Sequence, residues 1–403
     1  FKQKTAYEIS LGLVGSEMCI RDRYSIEGFG LIGPKSASPD EFSEAIKLVN
    51  MVFNFRSKGL PSVEKLLPQA FNMENLENIR VIIEDGRVVS HLAIWEGELI
   101  IYGCMFKVGM IGCVCTHPDY RNRGYASALV RDAIEKLRRE EVSILMISGI
   151  RGLYRRAGCI PAGTLYEFII TKKSLDWIKN LKFDVLPITE NLLPEVIRIY
   201  QREPVRYRRS LEEFKTLLID RILDESVPLT AYMTLMNGKP IAYIATSALS
   251  NRPGEIWEYA GSRYAVLGAI FRLMEECGSE LSRIQIPFHD YEMLSIMEMA
   301  GLKPSRVKSP ASISIPNPNA FMESFRPYLE ERVGEKSVQS LELMAEGSGF
   351  RLRVCGSEFN LRDIADMVRL FFGEPEINPQ SDERGFLAHA LPIPTPIYGL
   401  NYL

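Results

Sequence analysis

Apolar and polar positions change period several times along the chain, and each change marks an element. Over residues 40–53, "DEFSEAIKLVNMVF", Phe42, Ala45, Ile46, Val49 and Phe53 fall on one face at helical spacing. Ser38 reads as the N-cap and Pro39 as the first helical residue, where a missing N–H costs nothing. Asp40 and Glu41 then occupy the end of the helix dipole that favours acids. The pattern next turns strand-like: "IRVIIED" and "RVVSHLAIW" flank Asp85-Gly86, a tight-hairpin signal, and "LIIYGCMFKVGMIGCVCT" supplies further strand. Ala126, Leu129, Val130, Ala133, Ile134 and Leu137 then form a continuous helical stripe, with Arg131, Asp132, Glu135, Lys136, Arg138 and Arg139 on the other face. "VSILMIS" reads as a buried strand, "GLYRRAG" comes next, and "EFIITKK" closes a first unit near residue 173.

The stretch from 176 to 312 reads as an eroded copy of that unit. Asp85-Gly86-Arg87-Val88-Val89-Ser90-His91-Leu92-Ala93 has a counterpart in Asn237-Gly238-Lys239-Pro240-Ile241-Ala242-Tyr243-Ile244-Ala245, 152 residues on. Tyr154-Arg155-Arg156-Ala157-Gly158 has one in Met297-Glu298-Met299-Ala300-Gly301, 143 residues on. Two matches in the same order at similar offsets suggest a duplicated fold, with chance similarity of hairpin turns as the competing explanation. "SIPNPNAF" begins a third unit, in which "FMESFRPYLEERV" reads as a helix, "FRLRVCG" as a strand and "LRDIADMVRLFFG" as a second helix. The tail "LPIPTPIYGLNYL" carries no charge after Arg384, which favours a packed segment over a solvated one. Residues 1–23 do not join smoothly to the chain from Tyr24 onward and are expected to be non-native. The expected division is therefore 1–23, 24–175, 176–312 and 313–403.

Composition narrows the class. The 403 residues are 46% hydrophobic and 25% charged, with a net charge of −3, so nothing points to a nucleic-acid partner. No apolar run of 18 residues suggests a membrane span. The seven cysteines include no Cys-x-x-Cys pair and the four histidines lie far apart, which argues against a structural metal. Buried, reduced thiols and a cytoplasmic location are the corresponding expectation.

The chemistry concentrates in residues 113–130, "CVCTHPDYRNRGYASALV". A strand that ends, turns through a basic segment with glycine and enters a helix points several N–H groups at one place, where the helix dipole adds positive charge. Arg121 and Arg123 add charge-assisted donors, and Gly124 and the small Ala126 let the backbone approach a diphosphate. The spacing is neither the Walker pattern nor Gly-x-Gly-x-x-Gly. Glu84, Glu96 and Glu98 read as hairpin surface groups, and His117 as a residue whose side chain can point to solvent.

Residues 113–126 resemble the acetyl-CoA-binding motif of the GNAT N-acetyltransferases, in which a strand ends in a hydrophobic-x-Pro-x-Tyr-Arg run and Arg/Gln-x-x-Gly-x-Gly/Ala opens the helix. Thr116 stands where a larger hydrophobe is common, and Ala126 takes the place of the last glycine. The resemblance implies that Val114, Cys115 and Thr116 pair with the pantetheine arm and that the amides of Arg121, Asn122, Arg123, Gly124, Tyr125 and Ala126 hold the pyrophosphate. It also implies that the Val114 N–H serves as oxyanion donor and that Tyr154 protonates the leaving thiolate. The second copy has Met297 at the Tyr154 position and no Arg-x-x-Gly-x-Ala, so it is expected to be catalytically silent.

As a whole the chain resembles the Eis-like (enhanced intracellular survival) acetyltransferases. That resemblance implies an α/β (α+β) fold: tandem GNAT folds, each a mixed central sheet flanked by helices, then a sterol-carrier-like α+β domain. It further implies a hexamer, a C-terminal carboxylate acting as base (here that of Leu403, where an aromatic end is often found), and transfer from acetyl-CoA to a primary amine of a small polyamine, aminoglycoside-like or lysine-containing acceptor. A non-catalytic acyl-CoA sensor and a lipid-binding protein are the alternatives.

Overall fold

The computed structural model describes residues 30–221, 229–247, 254–307, 311–347, 349–354, 357–373, 390–395 and 397–402. The segment 1–23 and Leu403 lie outside the described residues. Among the described residues the fold is mixed α/β, with three sheets.

The first sheet is built on β1 (Leu31–Ser36), β2 (Ile79–Glu84), β3 (Arg87–Ile101), β4 (Cys104–Thr116), β5 (Ile144–Ser148) and β6 (Ile160–Pro161). The second is built on β7 (Leu165–Thr171), β8 (Asp184–Pro187), β10 (Leu229–Met236), β11 (Lys239–Ser247), β12 (Gly254–Gly261), β13 (Leu281–Pro287) and β14 (Ser305–Val307). Strands β9 (Val205–Arg208) and β15 (Ala311–Ser314) are supplied to the first sheet from later in the chain. β9 pairs with the far end of β3, and β15 inserts between β5 and β6. In return β7, on the first-unit side of the expected boundary at residue 175, lies between β13 and β14 of the second sheet. The two units therefore exchange strands, and sheet membership departs from sequence order.

Both hairpins form where the turn residues demand. Asp85 and Gly86 have φ of 52° and 73°, and Asn237 and Gly238 have 50° and 72°, the pair of left-handed residues that a two-residue hairpin needs. The register slips at the same place in each hairpin: between Ile82 and Ile83 in the first, and between Thr234 and Leu235, 152 residues on, in the second. A shared irregularity at a shared offset carries the duplication further than turn residues do.

Helix α1 (Pro39–Val52) opens on a full capping box, Ser38 with Glu41, and buries Phe42, Ala45, Leu48 and Val49. Helix α2 (Tyr125–Arg139) buries Leu129, Val130, Ala133 and Leu137 of the expected stripe, and half-buries Ala126 and Ile134. It also buries Lys136, whose ammonium bonds Glu96 and Glu140. Short α3 (Gly152–Arg156) follows β5. In the second unit α4 (Leu193–Tyr200), α5 (Arg263–Glu276) and α6 (Tyr291–Met299) flank the sheet. The third unit holds α7 (Pro318–Val333), a three-stranded sheet of β16 (Glu342–Glu346), β17 (Gly349–Val354) and β18 (Ser357–Leu361), and α8 (Ile364–Phe372). Its aromatic residues join the core of the first sheet: Phe321 meets Phe106 of β4 at 5.6 Å between ring centroids, and Phe371 at 4.9 Å.

The uncharged tail is packed, as its composition predicts. Ile393, Ile397, Leu400 and Asn401 are buried.

Candidate active site

β4 and β5 run parallel from Val108 to Ile111, opposite Ile144 to Ile147, and pairing stops there. Beyond that point the end of β4 is free to face a ligand. A bulge sits at the divergence. On β3, His91 pairs with Cys115 and Ala93 with Gly112, so Cys113 and Val114 both stand opposite Leu92, and Cys113 adopts φ 53°. A bulge removes one residue from ladder pairing, which makes a backbone N–H such as that of Val114 available to an incoming oxygen. In the second unit the bulge is displaced: Ile244, the counterpart of Leu92, pairs one-to-one with Tyr259, and the register of β11 and β12 slips between Ala245 and Thr246.

The chain then turns through Pro118–Tyr120 into α2, with Asn122 at φ 64° and Gly124 at φ 83°. Ala128 is the first residue to donate into the helix, to Gly124 C=O at 3.0 Å, so the amides of Tyr125, Ala126 and Ser127 point outward without a helical acceptor. Together these groups open onto a cavity of 610 Å³. Val114, Cys115, Thr116, Asn122, Gly124 and Ala126 all reach its wall. Four arginines, Arg121, Arg123, Arg151 and Arg156, line it with no carboxylate among them. Val52, Phe53 and Leu153 supply an apolar border. A space of this size, basic at one side, apolar at another and fed by helix amides, suits a phosphorylated ligand with an extended arm.

Two of these arginines escape sequence reasoning. The signal for Arg151 and Arg156 is the basic run around Tyr154, which reads as an ordinary helix end until the fold brings it opposite Arg121. The arginines that are foreseen divide. Arg121 bonds Thr116 C=O through Nε at 3.3 Å, leaving its terminal nitrogens to the cavity. Arg123 pairs with Glu84 at 2.6 Å and lies over the Tyr120 ring. Glu84 also accepts from the Tyr125 hydroxyl at 2.6 Å, so it braces the cradle in addition to closing the hairpin. Glu98 lies at the surface as expected and pairs with Arg208, whereas Glu96 is part-buried and pairs with the buried Lys136. His117 shapes the turn, accepting from the Asp119 N–H at 3.3 Å.

Tyr154 is buried at 2% exposure, near Arg151, Cys159 and Cys113, and its side chain does not line this cavity. Burial raises its phenol above the ordinary value of 10 against the opposing pull of Arg151, so the group stays protonated across the physiological range. Burial also pushes the Cys113 thiol up to about 12 and raises Cys115, which leaves both as poor nucleophiles. His91, on the opposite strand, is buried and held down to about 4 by desolvation; its Nδ1 lies 3.3 Å from Cys113 C=O.

The tail reaches the same region. Leu400 N–H donates to Glu258 at 3.0 Å, Arg221 donates to Leu400 C=O at 2.6 Å, and Arg209 donates to the Asn401 side chain at 2.6 Å. Arg209 and Glu258 themselves form an ion pair at 2.6 Å, with side chains 0% and 6% exposed. This clamp belongs to the second unit, at the place where β12 and β13 cease to pair after Ile256 and Ile284. It delivers Tyr402 beside Ser148 and Tyr154 of the first unit. Burial would raise the Glu258 carboxyl, but Arg209 outweighs it and holds the group below its ordinary 4.5. The clamp is therefore intact above that value and weakens as pH falls below it. Arg209→Ala leaves the Glu258 charge buried and unpaired, and the expected destabilisation is about 3–5 kcal/mol. It is read as a shifted denaturant midpoint at constant slope; a shift under about 1 kcal/mol would show that the pair does not hold the tail.

The equivalent helix end in the second unit is closed by the chain itself. Ser262 caps α5, accepting from the Ala265 N–H at 3.4 Å. The Glu203 carboxylate accepts from Gly261 N–H at 2.7 Å and pairs with Arg263 at 2.8 Å. A capping hydroxyl and an internal carboxylate thus stand at the entrance of this helix, where the first unit presents open amides. Met297 is buried in the core of this unit.

Among the described residues no group of three or more His, Cys, Asp or Glu could hold a metal ion, and no helix is long and apolar enough to cross a membrane.

Comparison with known proteins bears on these features. Residues 34–162 match the sequence profile of the acetyltransferase (GNAT) domain, a span that runs from β1 to β6 and contains the whole cradle. No curated protein sequence matches the chain. Among solved structures, a conserved protein from Enterococcus faecalis superposes with a TM-score of 0.62 at 16% identity, covering 84% of this chain and 88% of that one. A GCN5-related N-acetyltransferase from Anabaena variabilis gives 0.60 at 17%, covering 84% and 89%. Eis1 from Mycobacterium abscessus gives 0.57 at 13%, covering 89% and 96%. At these identities the superpositions speak for a shared fold over most of the chain. Residues 34–162 are a GNAT acetyltransferase domain, and the chain is an acetyltransferase.

Proposed function

We propose that the protein transfers an acetyl group from acetyl-CoA directly to a primary amine of a small acceptor, at the cleft of its first unit. The observation that carries this reading is the contrast between two copies of one fold. One has a strand bulge at Cys113 and Val114, open helix amides and a cavity lined by four arginines; in the other the bulge is displaced and the helix entrance is held by Ser262 and Glu203.

In this reading the pantetheine arm pairs with the backbone of Val114, Cys115 and Thr116. The pyrophosphate lies on the amides of Arg121, Asn122, Arg123, Gly124, Tyr125 and Ala126, with Arg151 and Arg156 adding charge. The amine nitrogen attacks the thioester carbon, the Val114 N–H stabilises the oxygen that gains charge, and the carbon–sulfur bond breaks. Tyr154 gives its proton to the departing thiolate, and the Leu403 carboxylate takes the proton lost by the amine. The raised thiols of Cys113 and Cys115 favour direct attack over an acyl-enzyme. The acceptor amine approaches on the side of Tyr402, which stands beside Tyr154. The overall plan is Eis-like: tandem GNAT units, a third unit of sterol-carrier-like type, hexamer assembly and a cytoplasmic setting.

Thiol release from acetyl-CoA over a panel of small amines tests the reading. Amine-dependent release is expected. Tight acetyl-CoA binding with no release from any amine would replace the enzyme with a sensor, a role compatible with the burial of Tyr154.

A further inference from the structure

A second cavity, of 330 Å³, is lined by residues of β9, of the ends of β12 and β13 and of the tail, among them Tyr402, which stands near Tyr154. Four carboxylates line it, Glu203, Glu255, Glu258 and Asp290, and each already has an arginine. Glu203 and Asp290 share Arg263, at 2.8 and 3.0 Å. Glu258 holds Arg209 at 2.6 Å, and Glu255 lies 3.5 Å from Arg283. Two further lining arginines have no carboxylate partner among the described residues. Arg221 donates to Leu66 C=O at 3.0 Å and Leu400 C=O at 2.6 Å; half-buried Arg206 donates to Glu203 C=O at 2.9 Å.

Charge is shared unevenly here: Glu203 and Asp290 have one arginine between them, and Arg283 also lies 3.6 Å from Glu167, whereas Arg206 and Arg221 meet only carbonyl oxygens. Such a cavity suits a ligand that brings one charge of each sign. Building on the acetyltransferase reading above, we propose that the acceptor is a zwitterionic amine, an amino-acid-like compound. Its ammonium group points toward Tyr402 and Tyr154 and loses its proton there, and its carboxylate is held by Arg206. Arg206 is the unpartnered arginine with exposure left to bind, and it sits on β9, the strand that joins the second unit to the first sheet. A guanidinium–carboxylate contact is charge-assisted and directional, so it selects among amines of equal reach.

Matched acceptors test this by steady-state thiol release: 6-aminohexanoate against hexylamine, and L-lysine against cadaverine. The carboxylate-bearing member of each pair is expected to have a kcat/KM about tenfold higher or more. Equal rates, or faster turnover of the bare amines and diamines, would overturn the proposal while leaving the acetyltransferase reading intact. Release from no amine at all would instead remove that reading. Arg206→Gln is expected to raise KM for 6-aminohexanoate about tenfold with KM for hexylamine and acetyl-CoA affinity unchanged. An equal change in both acceptors would mark Arg206 as structural and overturn its assignment.

Discussion

Replacing Tyr154 by Phe is expected to lower kcat by about 10²- to 10⁴-fold with acetyl-CoA affinity nearly unchanged, because under the proposed mechanism the change removes one hydroxyl that acts only as the thiolate leaves. The ring is buried among Cys113, Cys159 and Arg151, and phenylalanine keeps its shape, so the fold has no reason to change. The raised phenol sets the pH behaviour. A group that titrates above 10 stays protonated below that value, so the wild-type rate should show no alkaline decline assignable to Tyr154 up to about pH 10. Stopped-flow thiol release, with binding measured calorimetrically, separates the two effects. A kcat within about threefold of wild type would mean that the proton comes from elsewhere, and that the burial of Tyr154 is packing alone.

Replacing Gly124 by Glu should abolish acetyl-CoA binding, raising Kd by about 10²-fold or more. Two effects combine. Gly124 sits at φ 83°, where a side chain costs about 1–2 kcal/mol of backbone strain. The new carboxylate would also stand among amides and arginines arranged for phosphate. A Cβ at this position meets nothing within 4 Å, so the variant should fold. Gly124→Ala separates the contributions: it carries the strain without the charge and should lose far less affinity. If Gly124→Glu bound acetyl-CoA normally, the cradle would not be the pyrophosphate site.

The parts of this molecule legible in the sequence are those that local chemistry decides. Asp85-Gly86 and Asn237-Gly238 turn because their backbone conformations suit tight hairpins. The stripe from Leu129 to Leu137 is buried because its spacing matches a helix. Arg121 to Ala126 form a cradle within a single turn. What stays hidden is non-local. Nothing in "EFIITKK" tells that its strand will pair with Leu281–Pro287 of the next unit, since any apolar strand of that length could fill either sheet. Arg151 and Arg156 join the cradle only through the packing of α3. Arg209 and Glu258 are 49 residues apart, and the tail they grip lies more than 140 residues from Glu258. The missing charge in the tail reveals that it packs; only the fold reveals against what. Glu203 is the clearest loss: as a lone acid after α4 it carries no signal, yet it stands at the second unit's helix entrance.

The most direct test of a cleft completed by the chain's own tail uses protein whose Leu403 carboxylate has been converted to an amide by semisynthesis. Thiol release with a saturating amine is compared with that of the native chain, and acetyl-CoA affinity is measured alongside. Turnover should fall by about 100-fold or more while acetyl-CoA affinity stays the same. Native turnover in the amidated chain would contradict the role of the tail.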